Sequence, residues 1–255
     1  MSKPMRILLT NDDGADSPGI LLLAQALRAA GHRVFMVAPS GDASGLSHSI
    51  SFFKGSRKFA EIGRDSYSFD GTPVDCVVVA LRGGIPELDM TRDGAPPDAV
   101  VSGINRGANL GTDIVFSGTA AAARQGAFCG IRSLALSLLY AEGEWHWDMA
   151  VAFVLERLPE MLAGWKPDSF VNVNIPNRAE KPLGLVRAFP SLRRYNDRVN
   201  VRLAGDGHRY CEAKPGPIGA EHDPGSDWNT VGENNASLSE IFIHPVLLEH
   251  VDRRR

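Results

Sequence analysis

The sequence predicts an α/β protein built on a mostly parallel sheet, and three features point there. An apolar segment, a helix-patterned segment and a second apolar segment follow one another within the first 40 residues or so. That order makes a β-α-β unit with a right-handed crossover. Short apolar runs and helical stretches then keep alternating as far as Ile175. Composition is that of an ordinary folded domain: 255 residues, 44% hydrophobic and 22% charged, enough to bury a core without staples.

Met5–Thr10 is the first expected strand, and Pro18, harmless in a first helical turn, opens a helix to about Ala30 that Gly31 stops. His32–Ala38 is the second strand, followed by a Ser- and Gly-rich loop from Pro39 to Ser49. Ile50–Phe53 and Tyr67–Asp70 read as short strands flanking a charged turn, and Pro73 opens a helix to about Leu81. Arg82–Pro97 is a connection rich in Gly, Pro and charge, and Asp98–Val101 is a short buried strand. Ser117–Cys129 is an Ala-rich helix stopped by Gly130, and Arg132–Leu138 is a strand. His146–Leu162 carries Val151, Val154, Leu155, Leu158 and Leu162 on one stripe, as an amphipathic helix does, with Pro159 expected to kink or fray its end. Phe170–Ile175 is a strand with a polar face.

After Pro176 the character shifts. Leu185–Phe189 is a strand; Arg198–Leu203 and His208–Ala213 alternate around Ala204-Gly-Asp-Gly207, where Asp-Gly signals a hairpin. An isolated hairpin is marginal, so this one is expected to project and pair with another subunit. Ser226–Asn235 is a short helix and Glu240–His244 a last strand. The chain thus divides into a core, 1–180, and a C-terminal segment, 181–255, of the same globular unit.

The net charge of −3 gives no footprint for a nucleic-acid polymer or an anionic membrane, and Arg253-Arg254-Arg255 reads as a solvated tail. No apolar run reaches the roughly 18 residues of a membrane span, and the N-terminus has no signal-peptide core. Cys76, Cys129 and Cys211 are scattered and odd in number, which points to a reducing cytoplasm rather than a disulfide framework.

The chemistry gathers in loops that follow strands, where open α/β sheets bind ligands. Asn11-Asp12-Asp13-Gly14 leaves the first strand. Adjacent carboxylates repel unless something neutralises them, and a hard divalent cation does so; a polar turn is the alternative. Ser102-Gly-Ile-Asn105 with Asn109-Leu-Gly111 offers amide oxygens among glycines, either for a ligand or as a plain loop. Ser117-Gly118-Thr119 opens a helix, as a simple cap or as an anion site. Ala38–Ser49 adds hydroxyls and His48. Walker, dinucleotide and G-x-S-x-G motifs are absent.

Taken in order, Asn11-Asp-Asp-Gly14, Val37-Ala-Pro39 with Ser44-Gly45 and Ser47, Gly71-Thr-Pro73 with Asp75-Cys76, the Ser102–Asn105 and Asn109–Gly111 pair, Ser117-Gly-Thr119, Asn172-Val-Asn174 with Pro176, and Asp227-Trp228 closely resemble the SurE family over nearly the whole chain. The resemblance implies a Rossmann-like three-layer α/β/α core with an extended C-terminal β-hairpin arm used in homodimer or homotetramer assembly. It implies a divalent-metal-dependent phosphomonoesterase acting on nucleoside 5′- and 3′-monophosphates, in some members also on short polyphosphate. The family's metal ligands match Asp12, Asp13, Ser44 and Asn105, for one Mg or Mn ion; its phosphate-binding residues match Asn109, Ser117, Gly118 and Thr119. Asp12, Asp13 and Asn109 are the expected catalytic residues, and whether water or Asp12 attacks phosphorus stays open.

An all-oxygen donor set suits Mg²⁺ or Mn²⁺ and not Zn²⁺ on thiolates or imidazoles. Three departures bear on substrate choice. Ser40 stands where the family commonly has an acidic residue, Ala43 where it has Arg, and His48 where it has Asn. A nucleotide sensor on the same fold is the rival from another class, against which the intact carboxylates weigh. A haloacid-dehalogenase-type phosphatase spaces its aspartates by one residue, whereas Asp12 and Asp13 are contiguous.

Overall fold

The computed structural model describes residues 3–140, 143–220 and 223–245; the Arg253–Arg255 tail lies outside them. A nine-stranded sheet runs in the order β3-β4-β2-β1-β5-β6-β7-β13-β8. Its parallel heart is β4 (Ser66–Phe69), β2 (Arg33–Pro39), β1 (Arg6–Thr10), β5 (Ala99–Arg106), β6 (Ser133–Leu138) and β7 (Ser169–Ile175). β3 (Phe59–Gly63) pairs antiparallel at one edge. At the other, β13 (Ala236–Phe242) runs antiparallel to β7 and carries β8 (Leu185–Arg187). The C-terminal segment therefore contributes two strands to the main sheet.

Both faces are covered, which is why the central strands read as unbroken apolar runs. Side chains alternate across β1: Ile7 and Leu9 join a core with α1 (Pro18–Ala29) and α5 (Trp147–Ala163), while Leu8 joins the opposite core with α2 (Pro73–Val79). After the single turn α3 (Asp113–Phe116), α4 (Gly118–Phe128) lies on that second face with Ala120–Ala123 fully buried. Its run of alanines lets the helix approach the sheet closely, and explains why it carries no amphipathic stripe.

The structure corrects the sequence reading in four places. Ile50–Phe53 is not a strand: Phe52–Lys54 forms a 3₁₀ turn, and β3 occupies the stretch expected to be a charged turn. As an edge strand with three exposed residues, β3 lacks the apolar pattern that marks its neighbours. The strand expected to end at Val101 continues to Arg106 through a register shift at Gly103, whose φ of 132° favours glycine. α5 continues past Pro159 to Ala163, with Pro159 exposed and Leu158, Met161 and Leu162 buried around it, so the end of the helix does not fray there. Two short strands unmarked by the sequence, β9 (Arg193–Tyr195) and β12 (Ile218–Ala220), pair at the base of the hairpin. The hairpin itself is β10 (Arg198–Leu203) and β11 (Arg209–Lys214), and every residue of both strands is exposed.

Among the described residues no helix is long and apolar enough to cross a membrane.

Candidate active site

The site forms where the chain leaves β1, β2 and β5, at the carboxyl edge of three adjacent parallel strands. Asp12, Ser44, Asn105, Asn109 and Ser117 line one cleft of about 300 Å³. The adjacency follows from the sheet order, and a few hydrogen bonds fix it. Ala43 N–H donates to the Asp12 carbonyl at 2.8 Å, tying the second loop to the exit of β1. Ser47 then donates through its N–H to Phe116 O (3.0 Å) and through its hydroxyl to Val115 O (2.6 Å), tying that loop to the start of α4.

Asp12 is buried and clamped. Thr119 donates its N–H to Oδ2 at 3.1 Å and its hydroxyl to Oδ1. The carboxylate sits on the first turn of α4, where free N–H groups and the helix dipole favour an anion. Gly118 makes the approach possible: a Cβ there would lie 2.9 Å from both Cβ and Oδ2 of Asp12. Asp13 takes a different position. It accepts from Arg106 N–H at 3.0 Å and faces a second groove on the other side of Arg106.

Neither carboxylate is bonded to a cationic side chain among the described residues. Burial pushes the Asp12 carboxyl above its ordinary range, against the lowering by Thr119. Burial, and then the Asp12 charge, pushes Asp13 up to about 6. A buried and a half-buried carboxylate with suppressed ionisation fit a missing positive charge. The neutral donors point the same way. Asn105 turns its amide N–H to Gly107 O (2.9 Å), leaving Oδ1 for another partner. The Ser44 hydroxyl donates to Asp42 Oδ1 (2.6 Å), leaving its lone pairs. Among the described residues no three His, Cys, Asp or Glu side chains cluster to hold a metal, so any cation here depends on these neutral oxygens as well.

The expected phosphate-binding residues are placed unevenly. Ser117 caps α4, accepting from Ala120 N–H at 3.0 Å, and keeps its own proton to donate into the cleft. The Gly118 N–H has no protein acceptor among the described residues. Thr119 is spent on Asp12, with both its donors used. Asn109 is held rigidly: its N–H donates to Asn174 Oδ1 (2.8 Å), its carbonyl accepts from Asn172 (2.8 Å) and Asn174 (3.1 Å), and its side-chain amide donates to Ser137 Oγ (2.8 Å). The polar face of β7 thus serves to fix one residue of the cleft.

Other motif residues are scaffolding. Thr72 and Asp75 form a capping box on α2, and Asp75 also accepts from Ser51 N–H and Oγ–H. Asp227, fully buried, accepts from Gly111 N–H (2.7 Å), Ser191 N–H (2.9 Å) and Trp228 N–H (2.8 Å). It thereby joins the Asn109 loop to the C-terminal segment. His48 leans away on α4, with Nε2 3.1 Å from Gln125 Oε1 and its ring edge-on to Phe128, and burial lowers its pKa.

Three cleft residues carried no sequence signal. Arg106 lines the cleft. Asp113 and Tyr195 form the far wall, with the Tyr195 hydroxyl and Arg193 both donating to Asp113.

With this geometry in place, comparison with known proteins decides the family. The model of the family "Survival protein SurE" matches residues 7–197. The chain belongs to the SurE family. The 5′-nucleotidase SurE of Xylella fastidiosa (strain 9a5c) is 37% identical over 248 residues, covering 94% of this chain and 90% of that protein. The 5′-nucleotidase SurE of Stenotrophomonas maltophilia (strain K279a) is 39% identical over 245 residues with the same coverage. The crystal structure of the SurE protein from Aquifex aeolicus superposes with a TM-score of 0.80 at 33% identity, covering 96% of each chain. The SurE fold is thus shared across the whole sheet and the C-terminal segment.

Proposed function

We propose that this protein is a divalent-metal-dependent phosphomonoesterase that converts nucleoside 5′-monophosphates to nucleoside and phosphate, with 3′-monophosphates and short polyphosphate as secondary substrates. The observation that carries it is the convergence of Asp12, Ser44, Asn105, Asn109 and Ser117 on one cleft, beside a second carboxylate, Asp13. The curated relatives' name, 5′-nucleotidase, supports the same substrate class.

Asp12, Asp13, Ser44 and Asn105 would hold one Mg²⁺ or Mn²⁺ ion, hard oxygen donors for a hard cation. When bound, the ion supplies Lewis acidity toward a phosphoryl oxygen and makes water more acidic. The Ser117 hydroxyl and the Gly118 N–H bind phosphate oxygens at the start of α4, and Asn109 and Arg106 flank them. Thr119 acts through Asp12 and not on phosphate. Because Thr119 engages both Asp12 oxygens, the carboxylate is a fixed support, and we assign the attack to water. Its oxygen forms the new bond to phosphorus, the bond from phosphorus to the ribose oxygen breaks, and the nucleoside leaves with the proton that water loses.

The exposed hairpin presents Val199, Val201 and Leu203 on one face with Cys211 and Ala213 opposite them. That apolar face supports assembly into a homodimer or homotetramer, and three free cysteines support a cytoplasmic setting.

Phosphate release from AMP and GMP, assayed with Mn²⁺ and again after EDTA, tests the function. Turnover that needs the ion is expected; full-rate hydrolysis after complete metal removal would refute it.

A further inference from the structure

A second groove, of about 380 Å³, opens beside the candidate centre. Pro18, the indoles of Trp145 and Trp147, Asp13, Asp42 and Arg106 are among its lining residues. The indoles stack with centroids 5.3 Å apart and planes 14° apart. The Arg106 guanidinium lies 5.1 Å from the Trp145 ring, and Arg106 lines both this groove and the cleft that holds Asn109 and Ser117. Both tryptophans are half-buried, so their rings are only partly used by the core beneath them.

Aromatic surface decides what the groove accepts. A flat, neutral, aromatic group finds a wall of two indoles to stack on, which a sugar or a further phosphate cannot use. A ligand with a phosphate in one space and a neutral aromatic ring in the other is a mononucleotide.

We propose that the Trp145–Trp147 wall is the nucleobase subsite of this enzyme, with Arg106 at the junction between base and phosphate. The proposal rests on the phosphatase reading and deepens it: aromatic-base mononucleotides rank above both sugar phosphates and polyphosphate. Trp145 and Trp147 are then specificity residues, acting on binding and not on the bond that breaks.

The test compares kcat and KM for AMP and for ribose 5-phosphate, with Mn²⁺, in the wild type, Trp145→Ala and Trp145→Phe. Wild type should favour AMP. Trp145→Ala should lower the AMP to ribose 5-phosphate ratio of kcat/KM roughly tenfold, the size of one base–aromatic stack, through KM more than kcat. Trp145→Phe should restore most of the ratio. A ratio that survives Trp145→Ala overturns the subsite and leaves the phosphatase reading standing. Should Trp145→Ala fail to fold, the wild type still decides, because adenosine in the groove must quench tryptophan fluorescence saturably. Absence of quenching by adenosine overturns the subsite. Hydrolysis of neither phosphoester by the wild type overturns the phosphatase reading instead, and the adenosine titration then judges the groove alone.

Discussion

Gly118→Ala separates catalytic placement from stability more sharply than removal of a carboxylate. Residue 118 is the first of α4, where alanine is intrinsically favoured over glycine by up to about 1 kcal/mol. The added methyl, however, would lie 2.9 Å from Asp12 Cβ and Oδ2 and 3.1 Å from Pro73 Cγ, whereas ordinary contact begins at 3.4 Å. Asp12 must give way by about 0.5 Å to reach that limit, and it cannot do so without loosening the Thr119 clamp. Misplacement of about 1 Å in a reacting geometry costs on the order of a hundredfold in rate. Half that displacement should lower kcat for AMP by about tenfold. The thermal midpoint should move little, because the helix gain offsets part of the strain. The assay is kcat with Mn²⁺ beside a thermal melt of the same preparation. A well-folded Gly118→Ala enzyme with wild-type kcat would show that Asp12 tolerates displacement and does not set the geometry of the reaction.

Asp13, pushed up to about 6 chiefly by burial, binds its proton more tightly folded than unfolded. Metal-free stability should therefore fall as pH rises from about 4 to about 6, and Asp13→Asn should flatten that slope in EDTA; parallel melting profiles would contradict it. Asp13→Asn should also abolish the rise in thermal midpoint that Mn²⁺ gives the wild type. Asp227→Ala strips three backbone N–H groups of their acceptor in a fully buried place, and urea unfolding should show a loss of about 2–4 kcal/mol, with Asp227→Asn losing less. Val201→Asp, on the exposed apolar face of the hairpin, should leave the fold intact and reduce the oligomeric mass measured by light scattering. Acid quenching of turnover with ³²P-labelled AMP should trap no labelled protein; a labelled protein band would return the nucleophile's role to Asp12.

The parallel sheet was legible because burial on both faces writes long apolar runs, and Asn11-Asp12-Asp13-Gly14 after the first of them marked the strand end where the candidate site is proposed. The hairpin was legible because Asp206-Gly207 sits between alternating segments. What could not be read joins residues distant in sequence. The Thr119 to Asp12 contact spans 107 positions, and nothing in Ser117-Gly118-Thr119 says whether its donors face a phosphate or a carboxylate. Arg106 was hidden because β5 continues beyond its apolar part, so a residue assigned to a loop ends a strand. Tyr195 was hidden because it sits in a three-residue strand, β9, too short to leave a pattern.

The two aspartates, adjacent in sequence, have opposite surroundings, and the difference explains why both are present. Asp12 points at the start of α4 and is immobilised by Thr119; Asp13 points across Arg106 toward the indole groove. In the proposed metal site, Asp12 would be the donor held by a helix and Asp13 the donor facing the indole groove. The C-terminal segment closes the opposite wall through Tyr195, bonded to Asp113 of the core, and the Asp227 bridge to Gly111. Three residues after Tyr195 the exposed hairpin begins. The strand that walls the cleft is therefore continuous with the exposed hairpin. The short ribbon at the base of that hairpin, β9 with β12, positions Tyr195 against Asp113.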